Sequence, residues 1–483
     1  MENKILDYEQ VEEKLKEIIQ NSSVIKQKPD LATTKYGLPI HYYKIGSGKK
    51  EIVITGATHG SEIITTDFIL NLMEEMTKKD GKFKDVNLDE FTFHIVPLLN
   101  PEGYLITTSA VRKLIPREMD IKEAEKICKR YWSLYREDDI EAIKRKKDGE
   151  EPDRTSLKRH QEMFKDIDYT CIPEKYKALR ERVREIYEKY PDLPKGSIVT
   201  WSANGDGIDI QANSVHNRSS IEKIQANEHI YGSLRHENID KSHPGPIGCP
   251  YDKEVGFETA IETKVISDLL ESLYQKGTLV GYENFHSAGG LVYQRPARNG
   301  NGVEISEDMY WERIVNNIFD AISYAEGTYK NANDKENSRY RVLKGNLIPE
   351  STNDVFRMKY PSNLLIELSA MGSNPIGPYG DLEGNYKNIM DSNLNAYSEF
   401  LKNHELINKV SEGAMNLFVR MMNEHNDAEI VDIKEEYITK VYEIAEMMMD
   451  DVKGYIDENK KEQLREMIDQ GFFSEEESSK YRR

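Results

Sequence analysis

The sequence predicts an α/β fold in which a mixed sheet carries helices on its faces. Two observations support this. Short runs rich in β-branched and apolar residues recur at residues 52–56, 91–99, 279–282 and 363–368, each long enough for a core strand. Side chains capable of chemistry stand at or near the ends of such runs, where open α/β sheets place their ligands.

The elements follow in chain order. Tyr8, Val11, Leu15, Ile18 and Ile19 recur at helical spacing, so an amphipathic helix leads into the sheet. The strand Ile52-Val53-Ile54-Thr55-Gly56 ends in small residues and continues as Ala57-Thr58-His59-Gly60-Ser61-Glu62. A helical pattern then begins at once with Ile63, Ile64, Phe68, Ile69 and Leu72. A strand stopping at His59 and a helix opening near Glu62 put an imidazole and a carboxylate at one mouth of the sheet. Both are zinc-ligand types, and a catalytic zinc takes three protein ligands and leaves one position for water. The same His-x-x-Glu spacing also occurs in ordinary helix-capping turns, so a metal reading requires a third ligand and a base downstream.

Both are present. In Asn284-Phe285-His286-Ser287 a histidine follows the short strand Leu279-Val280-Gly281-Tyr282. The apolar strand Asn363-Leu364-Leu365-Ile366-Glu367-Leu368 holds a single carboxylate in its interior. A lone buried carboxylate is costly unless it is paired, hydrogen-bonded or employed. A carboxylate within reach of water can take its proton and pass it to a leaving amine, and a desolvated one has the raised pKa that suits this task.

With these motifs the chain resembles the zinc metallocarboxypeptidases, or funnelins. His59-Gly60-Ser61-Glu62 is similar to the family's His-x-x-Glu, and Asn100-Pro101-Glu102-Gly103-Tyr104 to its Asn-Pro-Asp-Gly turn. Gly207-Ile208-Asp209-Ile210-Gln211-Ala212-Asn213 is similar to its Gly-Val-Asp-Leu-Asn-Arg-Asn, read here as a strand at Ile208-Asp209. His286-Ser287 and Ile366-Glu367-Leu368 match the third ligand and the catalytic glutamate. The resemblance implies a mixed eight-stranded-type sheet and one Zn2+ held by His59, Glu62 and His286, with Glu367 as general base. It also implies Asp209 as the carboxylate that orients His59.

The chain departs from the family at the substrate. Where the family has Asn-Arg, this sequence has Gln211-Ala212, and alanine cannot fork onto a terminal carboxylate. Arg112, with Arg117 as its neighbour, and Arg295, with Arg298, are the candidate replacements, each also explicable as a solvated surface charge. Gln211 and Asn213 remain as neutral hydrogen-bonding groups, and Tyr340 is the nearest fit to the family's mobile tyrosine.

Composition sets outer limits. The 483 residues are 38% hydrophobic and 31% charged, with a formal charge of −19. That charge argues against nucleic acid as a partner, and against an anionic membrane surface. No window reaches the roughly 18 apolar residues of a membrane span, and the first residues lack the apolar stretch of a signal peptide. Cys128, Cys171 and Cys249 are scattered, match no metal or disulfide framework and read as reduced thiols. The expectation is a cytoplasmic enzyme.

Two regions fall outside the catalytic pattern, which is assigned to 1–117 and 197–403. Residues 118–196 form a charged helical insertion with clusters Tyr131, Trp132, Leu134, Tyr135 and Leu179, Val183, Ile186, Tyr187. It is expected either to wall the substrate funnel or to decorate the surface. Residues 404–483 form a helical C-terminal extension patterned through Ile433, Tyr437, Val441, Ile444 and Met448, a candidate for oligomerisation. The function expected is zinc-dependent cleavage of an amide bond at or near the end of a peptide with an unusual terminus, such as a cell-wall peptide. The alternatives are an N-acyl amino-acid amidohydrolase of the aspartoacylase or desuccinylase type, and a silent binding module. The partner is thus a peptide or an acyl amino acid.

Overall fold

The structure, a computed structural model, describes residues 4–147, 158–189, 195–211, 260–293, 307–330, 340–343, 360–369 and 374–424, together with Val441 and Ala445. Among these, the N-terminal helix α1 (Tyr8–Gln20) buries Tyr8, Val11, Leu15 and Ile18, the stripe its spacing predicts. Asp7 caps it by accepting the Gln10 backbone N–H, and the Gln10 side chain accepts the Asp7 N–H in return, so two orphan donors are satisfied.

Ten strands follow: β1 (Ile25–Gln27), β2 (Ala32–Thr33), β3 (Pro39–Ile40), β4 (Tyr43–Gly46), β5 (Lys50–Thr55), β6 (Phe91–Val96), β7 (Leu279–Ser287), β8 (Leu291–Tyr293), β9 (Arg341–Leu343) and β10 (Asn363–Leu368). Eight of them form one mixed sheet in the order β1-β4-β6-β5-β7-β10-β8-β9, and β2 and β3 form a separate pair. The centre, β6-β5-β7-β10, is parallel. Central parallel strands are covered on both faces, which is why Ile52, Val53, Ile54, Phe93, Ile95, Val96, Leu364 and Ile366 form near-continuous apolar runs.

The sheet separates two hydrophobic clusters. One includes Ile52, Ile54, Phe93, Phe285 and Ile366, packed with residues of α1, α2 (Ile63–Thr77), α3 (Pro101–Leu114), α7 (Glu307–Lys330) and α8 (Lys387–Glu424). The other joins Val53, Val96 and Tyr282 to Ile266, Leu270 and Leu273 of α6 (Ile261–Gln275).

The insertion supplies α4 (Ile121–Lys147) and α5 (Lys177–Lys189). Cys128, Tyr131, Leu134, Leu179, Val183 and Ile186 are buried, and all but Leu134 belong to the larger cluster. Helix α8 runs unbroken across the expected boundary at 403/404. Val441 and Ala445 of the C-terminal extension are buried, while Ile433, Tyr437, Ile444 and Met448 lie outside the described residues.

Two local expectations need correction. Strand β7 does not stop at Tyr282 but continues to Ser287, so His286 lies within the strand. Its polar residues are compatible with the sheet because they have partners: Glu283 accepts the Tyr397 hydroxyl, and Asn284 accepts those of Thr55 and Thr58 at 2.9 Å each. Ile208 and Asp209 belong to no strand, and Ile210 and Gln211 form a turn. Cys128 and Cys171 are free thiols, and Cys249 lies outside the described residues. Among the described residues, no helix is long and apolar enough to cross a membrane.

Candidate metal centre

Strand β5 ends at Thr55, and Ala57 takes a left-handed backbone conformation (φ 47°) that breaks the pleat and turns the chain out of the sheet. His59 lies on the resulting loop, and Glu62 occupies the N-cap of α2. His286 and Glu367 sit opposite each other on the neighbouring parallel strands β7 and β10. Register partners project to the same face, so three adjacent strand ends bring these four side chains together.

Glu62 faces both histidines: its Oε1 is 2.8 Å from His59 Nδ1 and its Oε2 is 3.0 Å from His286 Nδ1. The imidazole centroids are 4.9 Å apart, and one ligand atom from each of the three residues lies within 4.8 Å of the others. Bonds of 2.0–2.1 Å at tetrahedral angles would hold ligand atoms about 3.3 Å apart, so the observed spacing fits a common cation. Glu62 Oε2 is buried and makes no geometrically sound hydrogen bond among the described residues, although His286 Nδ1 lies 3.0 Å away. An orphaned carboxylate oxygen is a cost that a cation at this point would remove. Two imidazoles and one carboxylate are also a zinc donor set. These residues fit the metal.

Without a metal the two histidines are held in opposite senses. Burial opposes charge on His59, yet Glu62 and then Asp209 outweigh it and hold its pKa well above the ordinary range. For His286 burial prevails and the pKa falls, which keeps the ring neutral as a ligand must be. Burial pushes Glu62 upward, but the two histidines more than compensate and keep it ionised. Glu367 has less support: desolvation first and Glu62 second outweigh the opposing His59 and raise it to about 8.

Asp209 Oδ1 lies 3.3 Å from His59 Nε2, the ring nitrogen turned away from Glu62, and accepts the Gln211 backbone N–H at 3.0 Å. Gln211 Oε1 is buried and hydrogen-bonds to no described residue. Asn213, Arg295 and Arg298 lie outside the described residues. The structure does not bring Arg112 or Arg117 to this cluster. Arg112 Nε donates to Asp7 at 2.9 Å and its other nitrogens to Gln10 and to the Ile5 and Ile115 carbonyls, while Arg117 Nε donates to Asp7 at 2.6 Å. Both tie α3 and its C-terminal turn to the cap of α1. Tyr340 is buried in the core close to Glu367, where its hydroxyl accepts the Ser369 N–H at 3.0 Å and the Asn393 carboxamide at 2.9 Å.

Several positioning residues escaped sequence reasoning. Asn100 donates to the Thr58 carbonyl at 3.3 Å and to the Ala203 carbonyl at 3.1 Å, joining the His59 loop to the segment that leads to Asp209. Ser202 meets the same loop twice, accepting the Gly60 N–H at 3.0 Å and sharing a 3.1 Å hydroxyl contact with Ser61. Glu102 accepts the backbone N–H groups of Tyr36 and Gly205. The Asn-Pro-Glu-Gly turn was visible as a motif, but its partners near residue 203 were not.

The zinc carboxypeptidase family model matches residues 11–154. Among solved structures, the chain is similar to bovine thrombin-activatable fibrinolysis inhibitor in complex with tick carboxypeptidase inhibitor. That match has 14% identity and a TM-score of 0.45, covering 82% of this chain and 96% of that one. Carboxypeptidase A from Helicoverpa armigera matches at 12% identity with a TM-score of 0.47, covering 84% of this chain and 74% of that one. Over residues 11–154, which carry His59, Glu62 and the Asn100-Pro101-Glu102-Gly103 turn, the chain is similar to the zinc carboxypeptidase family.

Proposed function

We propose that this protein is a zinc-dependent hydrolase that cleaves an amide bond at or near the end of a peptide whose terminus is unusual or modified. The observation that carries the reading is the convergence of His59, Glu62 and His286 on one point, with Glu367 projecting from the same strand ends. His59, Glu62 and His286 would hold the metal, which when bound supplies Lewis acidity to the scissile carbonyl and acidifies water.

The other roles belong to the chain. Glu367 takes a proton from the attacking water and delivers it to the leaving amine, a task suited to a carboxylate whose pKa is pushed up to about 8. Asp209 fixes the tautomer and direction of His59 by facing its second nitrogen. Gln211 Oε1, buried without a partner among the described residues, is an acceptor for an N–H or O–H group of the substrate. Asn213 and Arg295 complete the proposed substrate contacts.

The test is a substrate panel offered to the zinc-loaded protein: ordinary peptides, C-terminally modified and cell-wall peptides, and N-acyl amino acids. Peptide cleavage that a chelator abolishes is the expected result. Turnover of acyl amino acids alone would make the protein an amidohydrolase, and no turnover at all would make it a binding module.

A further inference from the structure

We propose that the 118–196 insertion is part of the metal centre, with Tyr131 on α4 acting as a positioning residue for His286. The inference rests on the reading of His286 as a metal ligand. Tyr131 is fully buried, and its hydroxyl donates to the backbone carbonyl of Asn374. The Asn374 side chain then grips the residue that follows His286 from two sides. Its Oδ1 accepts the Ser287 hydroxyl at 2.8 Å, and its Nδ2 donates to the Ser287 carbonyl. Ser287 is the last residue of β7, the point at which the strand end must be fixed if the adjacent imidazole is to be aimed.

This connection is built into a packed joint. The segment Gly377–Gly380, just beyond Asn374, is buried throughout. A Cβ at Gly380 would lie 3.2 Å from the backbone N of Lys129, so α4 approaches this segment at backbone distance. Glu125, one turn before Lys129 on the same helix, accepts the Leu382 N–H at 3.2 Å. On its other side the segment is anchored to the helix that Glu62 caps, since the Tyr379 hydroxyl donates to Asp67 of α2 at 2.6 Å. The chain from 374 to 382 is thus held between the insertion and α2, and its first side chain sets the end of β7. Groups that orient a metal ligand from outside its coordination sphere typically change metal affinity by about 10–100-fold when removed.

Zinc affinity of the full chain, measured by competition with a chelator, and thermal melting test this together. Tyr131→Phe is expected to weaken zinc several-fold, and Asn374→Ala by about tenfold or more. The double variant should be no weaker than Asn374→Ala alone, because both act along one path. Phe164→Leu provides the control: Phe164 is buried beside Tyr131, with ring centroids 5.7 Å apart, and its side chain carries no hydrogen-bonding group that could hold Asn374. It should lower the melting temperature and leave zinc affinity unchanged. Wild-type zinc affinity in Tyr131→Phe, or additive losses in the double variant, would reduce Tyr131 to packing. If Tyr131→Phe does not fold, wild-type affinity in Asn374→Ala overturns the inference equally. A wild-type protein that takes up no zinc would instead overturn the reading of His286 as a ligand, and this inference with it.

Discussion

Asp209 Oδ1 stands 3.3 Å from His59 Nε2 while Glu62 Oε1 stands 2.8 Å from His59 Nδ1, so one imidazole is held between two carboxylates. Only Glu62 also reaches His286, at 3.0 Å from its Nδ1. On the proposed function the two carboxylates therefore differ in role, Glu62 as a ligand and Asp209 as an orienter. Asp209→Ala should retain the fold and weaken zinc by about 10–100-fold in chelator competition. Glu62→Ala should abolish stoichiometric binding. Equal, small effects of the two substitutions would refute the distinction.

Glu367 projects from the face it shares with His286 and is excluded from the ligand cluster. Glu367→Gln keeps the shape and removes the proton acceptor. Zinc content should be unchanged, and kcat should fall by roughly 10²–10⁴ on any substrate the panel identifies. Near-normal kcat in this variant would mean that Glu367 is structural.

Close backbone packing makes a third expectation. A Cβ on Gly60 would lie 2.1 Å from the Gly103 carbonyl carbon, where neither partner is a flexible side chain. Gly60→Ala must therefore push the His59 loop off the Asn-Pro-Glu-Gly turn. A cost of about 1–3 kcal/mol is expected in denaturant unfolding, with zinc affinity lost alongside. Unaltered stability would show that the two segments are not in contact.

What could be read from the sequence was local. His59 and Glu62 lie on one strand–turn–helix, and Glu367 stands out as the one charge in an apolar strand. The rest depended on partners far along the chain. Strand β7 seemed to end at Tyr282 because Glu283 and Asn284 are polar, and their partners Tyr397 and Thr55 lie 114 and 229 residues away. Arg112 had the spacing of a substrate-binding group, but Asp7, 105 residues earlier, holds it. Tyr340 was the nearest fit to a mobile tyrosine, and nothing nearby in sequence announced its donors Ser369 and Asn393. The link from Tyr131 to Asn374 spans 243 residues and carries no local signal.

Buried carboxyl groups dominate the pH dependence of stability, opposed below about pH 6.5 by His94 and His404, which burial lowers to about 4. Desolvation is the first cause in each case, raising Asp67 and Asp320 to about 7 and Glu262 and Glu283 to about 8. In the unfolded chain these groups titrate near pH 4. Between about pH 4 and 8 the native state therefore binds more protons than the unfolded state, and stability falls as pH rises. His41 adds to the same trend: burial opposes its charge, but Glu12 and Asp30 hold its pKa up, and that stability is lost as the ring deprotonates. Asp7, Glu51 and Asp206 are lowered, so they act only at more acid pH. Urea unfolding in chelator should show a loss on the order of a few kcal/mol from pH 5.5 to 8.5. Glu283→Gln and Asp320→Asn should each flatten that slope, and a slope of opposite sign would contradict the protonation states argued here.

The last expectation concerns the substrate's end. Where the resemblance to carboxypeptidases calls for Asn-Arg, this chain has Gln211-Ala212, so no guanidinium is available at that point to fork onto a terminal carboxylate. Arg112 could compensate only by leaving Asp7, Gln10 and two carbonyls, which would strip the cap of α1. The buried Gln211 Oε1 offers an acceptor instead, and an unpaired acceptor discriminates in favour of ligands that donate to it. Amidating the C-terminus of a peptide should therefore cost little in kcat/KM, and unblocked standard peptides should be poor substrates. Gln211→Ala should raise KM for the preferred substrate, by about 1–2 kcal/mol in kcat/KM terms for one lost hydrogen bond. Arg112→Ala should lower the melting temperature and leave the ratio of amidated to free-acid turnover where it was. A strong preference for the free carboxylate that vanishes in Arg295→Ala or Arg112→Ala would show that the charge had moved within the site, and would return this protein to conventional carboxypeptidase specificity.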